Sequence, residues 1–144
     1  MWVNDDEQQM REELVALNGR IDAMEQRRDL EALEFFNQHL AEQLVCRRAN
    51  GTVMGKYGRQ GFMRALTAPS RFAAVRSEAI EVNLLGTRAL VTLEVIATSR
   101  VGNEHRYCNV RMFSRSANRW LLELWYDYEI AGPQAECRCV TGIH

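Results

Sequence analysis

Apolar residues at Met10, Leu14, Leu17, Ile21 and Met24 recur in alternating steps of four and three, the spacing that gathers side chains on one stripe of an α-helix. Glu, Arg and Gln fill the opposite side, so the segment predicts a helix with one face against a core. The stripe lasts about two heptads, short of a coiled coil, which leaves a dimer zipper as the weaker reading. "RRDLEALEFFNQHL" begins a second helix. Asp29 stands where a carboxylate accepts from the free amides of a first turn, and Leu30, Leu33, Phe36 and Leu40 return an apolar face. "AEQLVCRRA" predicts a strand that meets Asn50-Gly51, a type I′ hairpin signal, with "TVM" as the short return. "RQGFMRAL" resumes helical spacing at Phe62, Met63 and Leu66 until Pro69 stops it.

From Arg71 the period becomes two. "RFAAVRSEAIEVNLL", "RALVTLEVIATSR", "EHRYCNVRMFSR" and "RWLLELWYDYEI" predict four strands, separated by Gly86-Thr87, by Gly102-Asn103 and by "SAN". Strands this long must twist and curl, and a curled sheet makes a concave face. Helices first and a meander after, with no βαβ alternation, predict an α+β fold: a curled antiparallel sheet wrapped around N-terminal helices. After Ile130, "AGPQAECRCVTGIH" has Gly, Pro and no period. Residues 1–130 therefore read as a single domain and 131–144 as a C-terminal tail.

Composition narrows the functional classes. A chain of 144 residues with 47% hydrophobic and 26% charged positions suits one globular domain. The formal charge is −1 and the arginines are spread through every segment, so no nucleic-acid partner and no anionic membrane surface is expected. "MWVNDDEQQM" has neither a basic nor an apolar leader region, and no stretch reaches the roughly 18 apolar residues of a membrane span. The expected location is cytoplasmic. Cys46, Cys108, Cys137 and Cys139 read as free thiols, and a lone Cys-x-Cys lacks the second ligand pair of a zinc site. His39, His105 and His144 show no ligand spacing, so neither a metal nor a cofactor is expected.

"NGTVMGKYGRQGF" holds four glycines and the only lysine, Lys56, and invites comparison with a phosphate-binding loop. The comparison fails twice: three residues separate Gly51 and Gly55 where that loop has four, and Tyr57 stands where Ser or Thr would hold magnesium. The glycines read instead as conformational devices: Gly51 for the hairpin, Gly55 to end the short strand, and Gly58 or Gly61 to enter the third helix. Tyr57 stays a candidate for a pocket rim.

Candidate chemistry concentrates on the later strands. In "HRYCNVRMF" alternation puts His105, Tyr107, Asn109, Arg111 and Phe113 on one face and Arg106, Cys108, Val110 and Met112 on the other. If the polar row points inward, Asn109 and Arg111 give directional donors to a cavity; if it faces water, as polar rows more often do, the other row is core. In "RWLLELWYDYEI" both faces carry aromatics, so parity leaves the orientation open. Glu94, mid-strand in "VTLEVIATS", would become a useful base if buried; an outward, ion-paired glutamate is the commoner pattern.

The order helix, helix, hairpin, short helix and long curling strands, carried by "RRDLEALEFF", "NGTVMGKYGRQGFMRAL", "HRYCNVRMFSRSANRW" and "WYDYEI", resembles the nuclear transport factor 2-like superfamily and its SnoaL-like branch, over about residues 10 to 130. The resemblance implies a cone-like α+β domain enclosing an apolar pocket, often paired as a homodimer through the outer face of the sheet. It does not imply one reaction, because the superfamily hosts isomerases, dehydratases, epoxide hydrolases, cyclases and binding modules. "WYDYEI" resembles the segment in which its epoxide hydrolases keep an aspartate that orients water, and Asp127 matches that position. Those enzymes also use an Arg-x-Asp pair where this chain has Asn109-Val110-Arg111, so the second carboxylate is missing. Ketosteroid-isomerase chemistry is excluded by the same comparison, which puts Ile21 at the oxyanion-stabilising tyrosine and about Val45 at the base.

The expectation is thus a small-molecule pocket protein that binds an apolar or aromatic ligand, with acid/base chemistry of a hydratase, isomerase or cyclase kind. Asp127 and Arg111 are the catalytic candidates, and Tyr107, Asn109, Glu94 and Tyr57 the pocket candidates. The alternative is a non-catalytic dimeric structural or interaction module.

Overall fold

The computed structural model describes residues 5–51, 53–54 and 58–130. The element order is α1 (Asp5–Arg27), α2 (Leu30–His39), β1 (Leu40–Arg47), β2 (Val53–Met54), α3 (Arg59–Ala65), β3 (Phe72–Leu85), β4 (Arg88–Ser99), β5 (Glu104–Ser116) and β6 (Arg119–Glu129). Acidic Asp5, Asp6 and Glu7 occupy the first turn of α1, where the helix dipole favours them. Asp29 caps α2 by accepting from the Ala32 amide at 2.9 Å. Gly58 opens α3 at φ +72, and a Cβ there would lie 1.9 Å from the Glu42 carbonyl oxygen, so only glycine fits.

The strands form one sheet in the order β2-β1-β6-β5-β4-β3. The meander β3 to β6 is antiparallel as expected, but β1 runs parallel to β6, which makes the sheet mixed. The parallel pair arises because β1 leaves the helical layer at the far edge of the meander and lies along its last strand. Bulges curl the sheet, and two of them bear on the site. One interrupts β3 between Glu78 and Glu81, around Ala79 at φ +54; the other leaves Glu123 unmatched between Leu122 and Leu124 of β6.

The helices fill the concave side. Leu14, Ile21, Phe36, Phe62, Leu93 and Phe113 are among the residues of a single core there. Asn50-Gly51 does sit in the β1–β2 connection, with the Gly51 amide donating to the Arg48 carbonyl at 2.9 Å. Among the described residues there only Gly51 has positive φ, so the turn is not type I′. That geometry appears instead at Ala117 and Asn118, both at positive φ between β5 and β6. Gly55, Lys56, Tyr57 and the tail 131–144 lie outside the described residues. Cys108 is disulfide-bonded, which corrects the free-thiol expectation for it; Cys46 is a free, buried thiol. No helix among the described residues is long and apolar enough to cross a membrane.

Candidate functional site

The polar row of β5 points inward: Tyr107, Asn109 and Arg111 are buried on the concave face, together with Phe113. On β6 the Glu123 bulge decides the orientation. Trp120 and Leu122 face the core before it and Trp125 after it, a switch of parity that turns Asp127 inward as well. Without the extra residue Asp127 would follow Glu123 to the opposite side. The ladder then sets Asn109 directly opposite Asp127, and Arg111 opposite Trp125.

Arg111 is wholly buried and its guanidinium is shared out. It donates to Asn18 Oδ1 at 3.0 Å, to Asp22 Oδ1 at 2.6 Å and to Asn109 Oδ1 at 3.1 Å, and it lies 4.5 Å from the centre of the Trp125 ring. Trp125 Nε1 donates to the same Asn109 oxygen at 2.7 Å. With that oxygen taken twice, the amide NH2 is the part of Asn109 left for a ligand. A buried arginine needs this degree of satisfaction, because removing it from water costs several kcal/mol in order of magnitude.

Above this floor lies a cavity of about 290 Å³. Phe72, Val75, Val95, Ala97 and Trp125 give it apolar wall. Asp22, Glu25, Arg28, Arg48 and Asp127 give it charge, so the cavity is more ionic than the expected apolar pocket. Arg48 bridges Glu25 at 3.0 Å and Asp127 at 3.3 Å. Burial raises the Asp127 carboxyl above the usual carboxylate range, with Arg48 and Arg111 opposing it; one of its oxygens, Oδ1, is buried without a partner. Burial likewise raises Tyr107, against the pull of Arg71, so its hydroxyl stays a neutral donor. Burial pushes the Cys46 thiol up to about 12, which makes it inert.

The cavity therefore brings together Tyr107, Asn109, Arg111 and Asp127. Glu94 is not among its lining residues. It is buried on the opposite face of β4, where its carboxylate meets Arg106 at 2.7 Å. Tyr57 lies outside the described residues. No group of three or more His, Cys, Asp or Glu among the described residues could hold a metal ion. Sequence reasoning passed over Asn18, Asp22, Glu25, Arg48 and Arg71. For Asn18 and Asp22 a signal existed: they follow Leu14 at successive steps of four, polar positions on the buried stripe of α1.

No family model matches the sequence, and no curated protein matches it. Solved structures do. An NTF2-like protein from Cytophaga hutchinsonii superposes with a TM-score of 0.69 at 12% identity, over 83% of this chain and 98% of that one. The association domain of C. elegans CaMKII gives 0.67 at 16%, over 87% and 99%. A candidate dehydratase of the NTF2-like family from Streptomyces avermitilis gives 0.64 at 14%, over 84% and 96%. At these identities the likeness establishes the fold: a nuclear transport factor 2-like, cone-like α+β domain.

Proposed function

We propose that this chain is a small-molecule pocket protein of the SnoaL-like kind, cytoplasmic, in which Asp127 supplies acid/base chemistry of a hydratase, isomerase or cyclase type. The observation that carries the reading is the cavity of about 290 Å³ into which Asp127, Asn109 and Tyr107 converge. Burial raises the Asp127 carboxyl above the usual carboxylate range and so makes it a stronger base than an exposed aspartate, while the Tyr107 hydroxyl and the Asn109 amide offer neutral donors to a polarised oxygen. Asp22 and Arg111 are committed to each other at 2.6 Å and act as the support of the floor, so Arg111 positions the site instead of reacting. The ligand expected is a mainly apolar or aromatic molecule that also carries hydrogen-bonding groups.

Thermal-shift measurements against aromatic and hydroxylated metabolites test the reading. Saturable stabilisation is expected, growing with ligand concentration, and it should vanish in Ala97→Trp, which fills the cavity. Asp127→Asn should keep binding and lose turnover. No stabilisation across a broad set would remove the pocket reading. Thiol labelling of the protein inside cells tests the location, which the Cys108 disulfide puts under pressure because such bonds belong mainly to oxidising compartments.

A second reading, a homodimeric interaction module, is favoured by a separate observation. Val45, Tyr126 and Tyr128 are exposed on the neighbouring strands β1 and β6, away from the cavity, and exposed aromatics mark interfaces. The C. elegans neighbour is an association domain. Sedimentation should show a dimer that Tyr126→Lys dissociates; a wild-type monomer at high concentration would discard this reading.

A further inference from the structure

Among the described residues, the charges lining the cavity do not cancel. Arg28, Arg48, Arg71 and Arg111 stand against Asp22, Glu25 and Asp127. Three of the arginines are spent on those three carboxylates: Arg28 on Glu25 at 2.9 Å, Arg48 on Glu25 and Asp127, and Arg111 on Asp22. Arg71 has no carboxylate partner among the described residues. Its polar contact is the Tyr107 hydroxyl at 3.5 Å, the outer limit of a hydrogen bond, and its guanidinium rests on the Phe72 ring at 4.7 Å. Its place is also distinctive. Arg71, Phe72 and Tyr107 line both the main cavity and a second one of about 260 Å³ beside it, so the unspent cation sits at the threshold between the two.

We infer that the ligand of this cavity is a monocarboxylate, its apolar body on Phe72, Val75, Val95 and Ala97 and its carboxylate on Arg71. This rests on the pocket reading above and names the class of molecule that pocket takes. A planar guanidinium presents two parallel N–H donors that match the two oxygens of a carboxylate. The Phe72 ring holds the guanidinium plane, which lowers the ordering cost on binding. The Tyr107 hydroxyl is close enough to add a third donor. One surplus positive charge calls for one negative charge. A dianion would be under-neutralised, and Glu129, paired with His105 at 2.9 Å in the adjoining cavity, adds repulsion.

Titration calorimetry on the full chain at low salt tests this, with phenylacetate and 2-naphthoate set against their primary amides, which share shape but carry no charge. The acids should bind roughly tenfold tighter than the amides, the scale of one hydrogen-bonded charge pair. Arg71→Gln should bring the acid-to-amide ratio to about one, and Arg71→Lys should keep part of the preference because the charge remains. Circular dichroism confirms that the variants fold. The inference is overturned if acids and amides bind wild type equally, if the preference survives Arg71→Gln, or if phenyl phosphate binds tighter than phenylacetate. Amide binding without acid preference defeats the monocarboxylate alone; no binding of either class by the folded wild type defeats the pocket reading and this inference with it.

Discussion

Arg106 and Arg111 stand on opposite faces of β5, and each holds a carboxylate at nearly the same distance, 2.7 Å to Glu94 and 2.6 Å to Asp22. Distance cannot rank the two pairs; their surroundings can. Arg106 is about one third exposed at its side chain (34%) and is shared with Glu104 at 3.1 Å and Glu78 at 3.5 Å. Water and salt screen it, and alternative partners stand ready. Arg111 is 0% exposed, has one carboxylate, and is otherwise held by the neutral oxygens of Asn18 and Asn109 and the face of Trp125. The outer pair decorates the sheet. The inner one ties α1 to β5 and β6, and it builds the floor on which Asp127 and the Asn109 amide are presented.

Breaking the inner pair should have the largest effect. Arg111→Met leaves Asp22 as a buried charge without a partner and strips Asn18 and Asn109 of a donor, at a cost of about 3 to 5 kcal/mol by urea denaturation. The double variant Arg111→Met, Asp22→Leu should recover a large part, because no uncompensated charge remains. A loss below about 1 kcal/mol in the single variant would mean that water reaches the floor. Arg106→Met should cost clearly less than Arg111→Met, because water and the neighbouring glutamates already share the Arg106 charge, and the cost should shrink as salt is raised. Equal costs at the two sites, in the same denaturation experiment, would erase the distinction between the faces.

The contrast also explains what the sequence could disclose. The α1 stripe, the Asp29 cap and the four long strands were legible because each rests on a period or a local hydrogen bond that needs no tertiary partner. The inward turn of Asp127 was not, because it depends on the bulge at Glu123, and a glutamate in a strand carries no mark of being the extra residue. Ala79, the positive-φ residue of the other bulge, is equally silent. The carboxylate that pairs with Arg111 comes from α1 as Asp22, and only the folded chain brings those elements together. Parity placed Asn109 and Arg111 on one face but could not say that the face was buried.

Turn chemistry misled in a way that an experiment can sharpen. Asn50-Gly51 carries the favoured type I′ sequence, yet positive φ at both centres of a two-residue loop occurs at Ala117 (φ +50) and Asn118 (φ +63), where Ser116 pairs with Arg119. Alanine pays for a left-handed conformation that asparagine adopts more readily. Ala117→Asn should therefore raise stability by roughly 0.5 to 1 kcal/mol with no change in ligand binding, since the turn lies at the end of the sheet away from the residues lining the cavity. A destabilised Ala117→Asn variant in thermal melts would argue against a strained turn.

The smallest effect at neutral pH belongs to Asp127→Asn, because two consequences oppose each other. The amide removes the cost of burying a charge, and it also removes the second partner of Arg48, which keeps Glu25 at 3.0 Å. The pH profile separates them. Burial raises the Asp127 pKa in the folded chain, so the folded state holds its proton more tightly than the unfolded state, whose value is about 3.9. The stabilising contribution of the protonated group is then fully present below the unfolded pKa and is lost as pH rises through the folded one. Wild type should weaken relative to Asp127→Asn across that window, and the gap should become constant above it. Denaturation midpoints of both proteins, measured from acid to mildly alkaline pH, decide the matter: a wild type that instead gains on Asp127→Asn as pH rises would show that Arg48 outweighs burial and holds Asp127 as a standing anion.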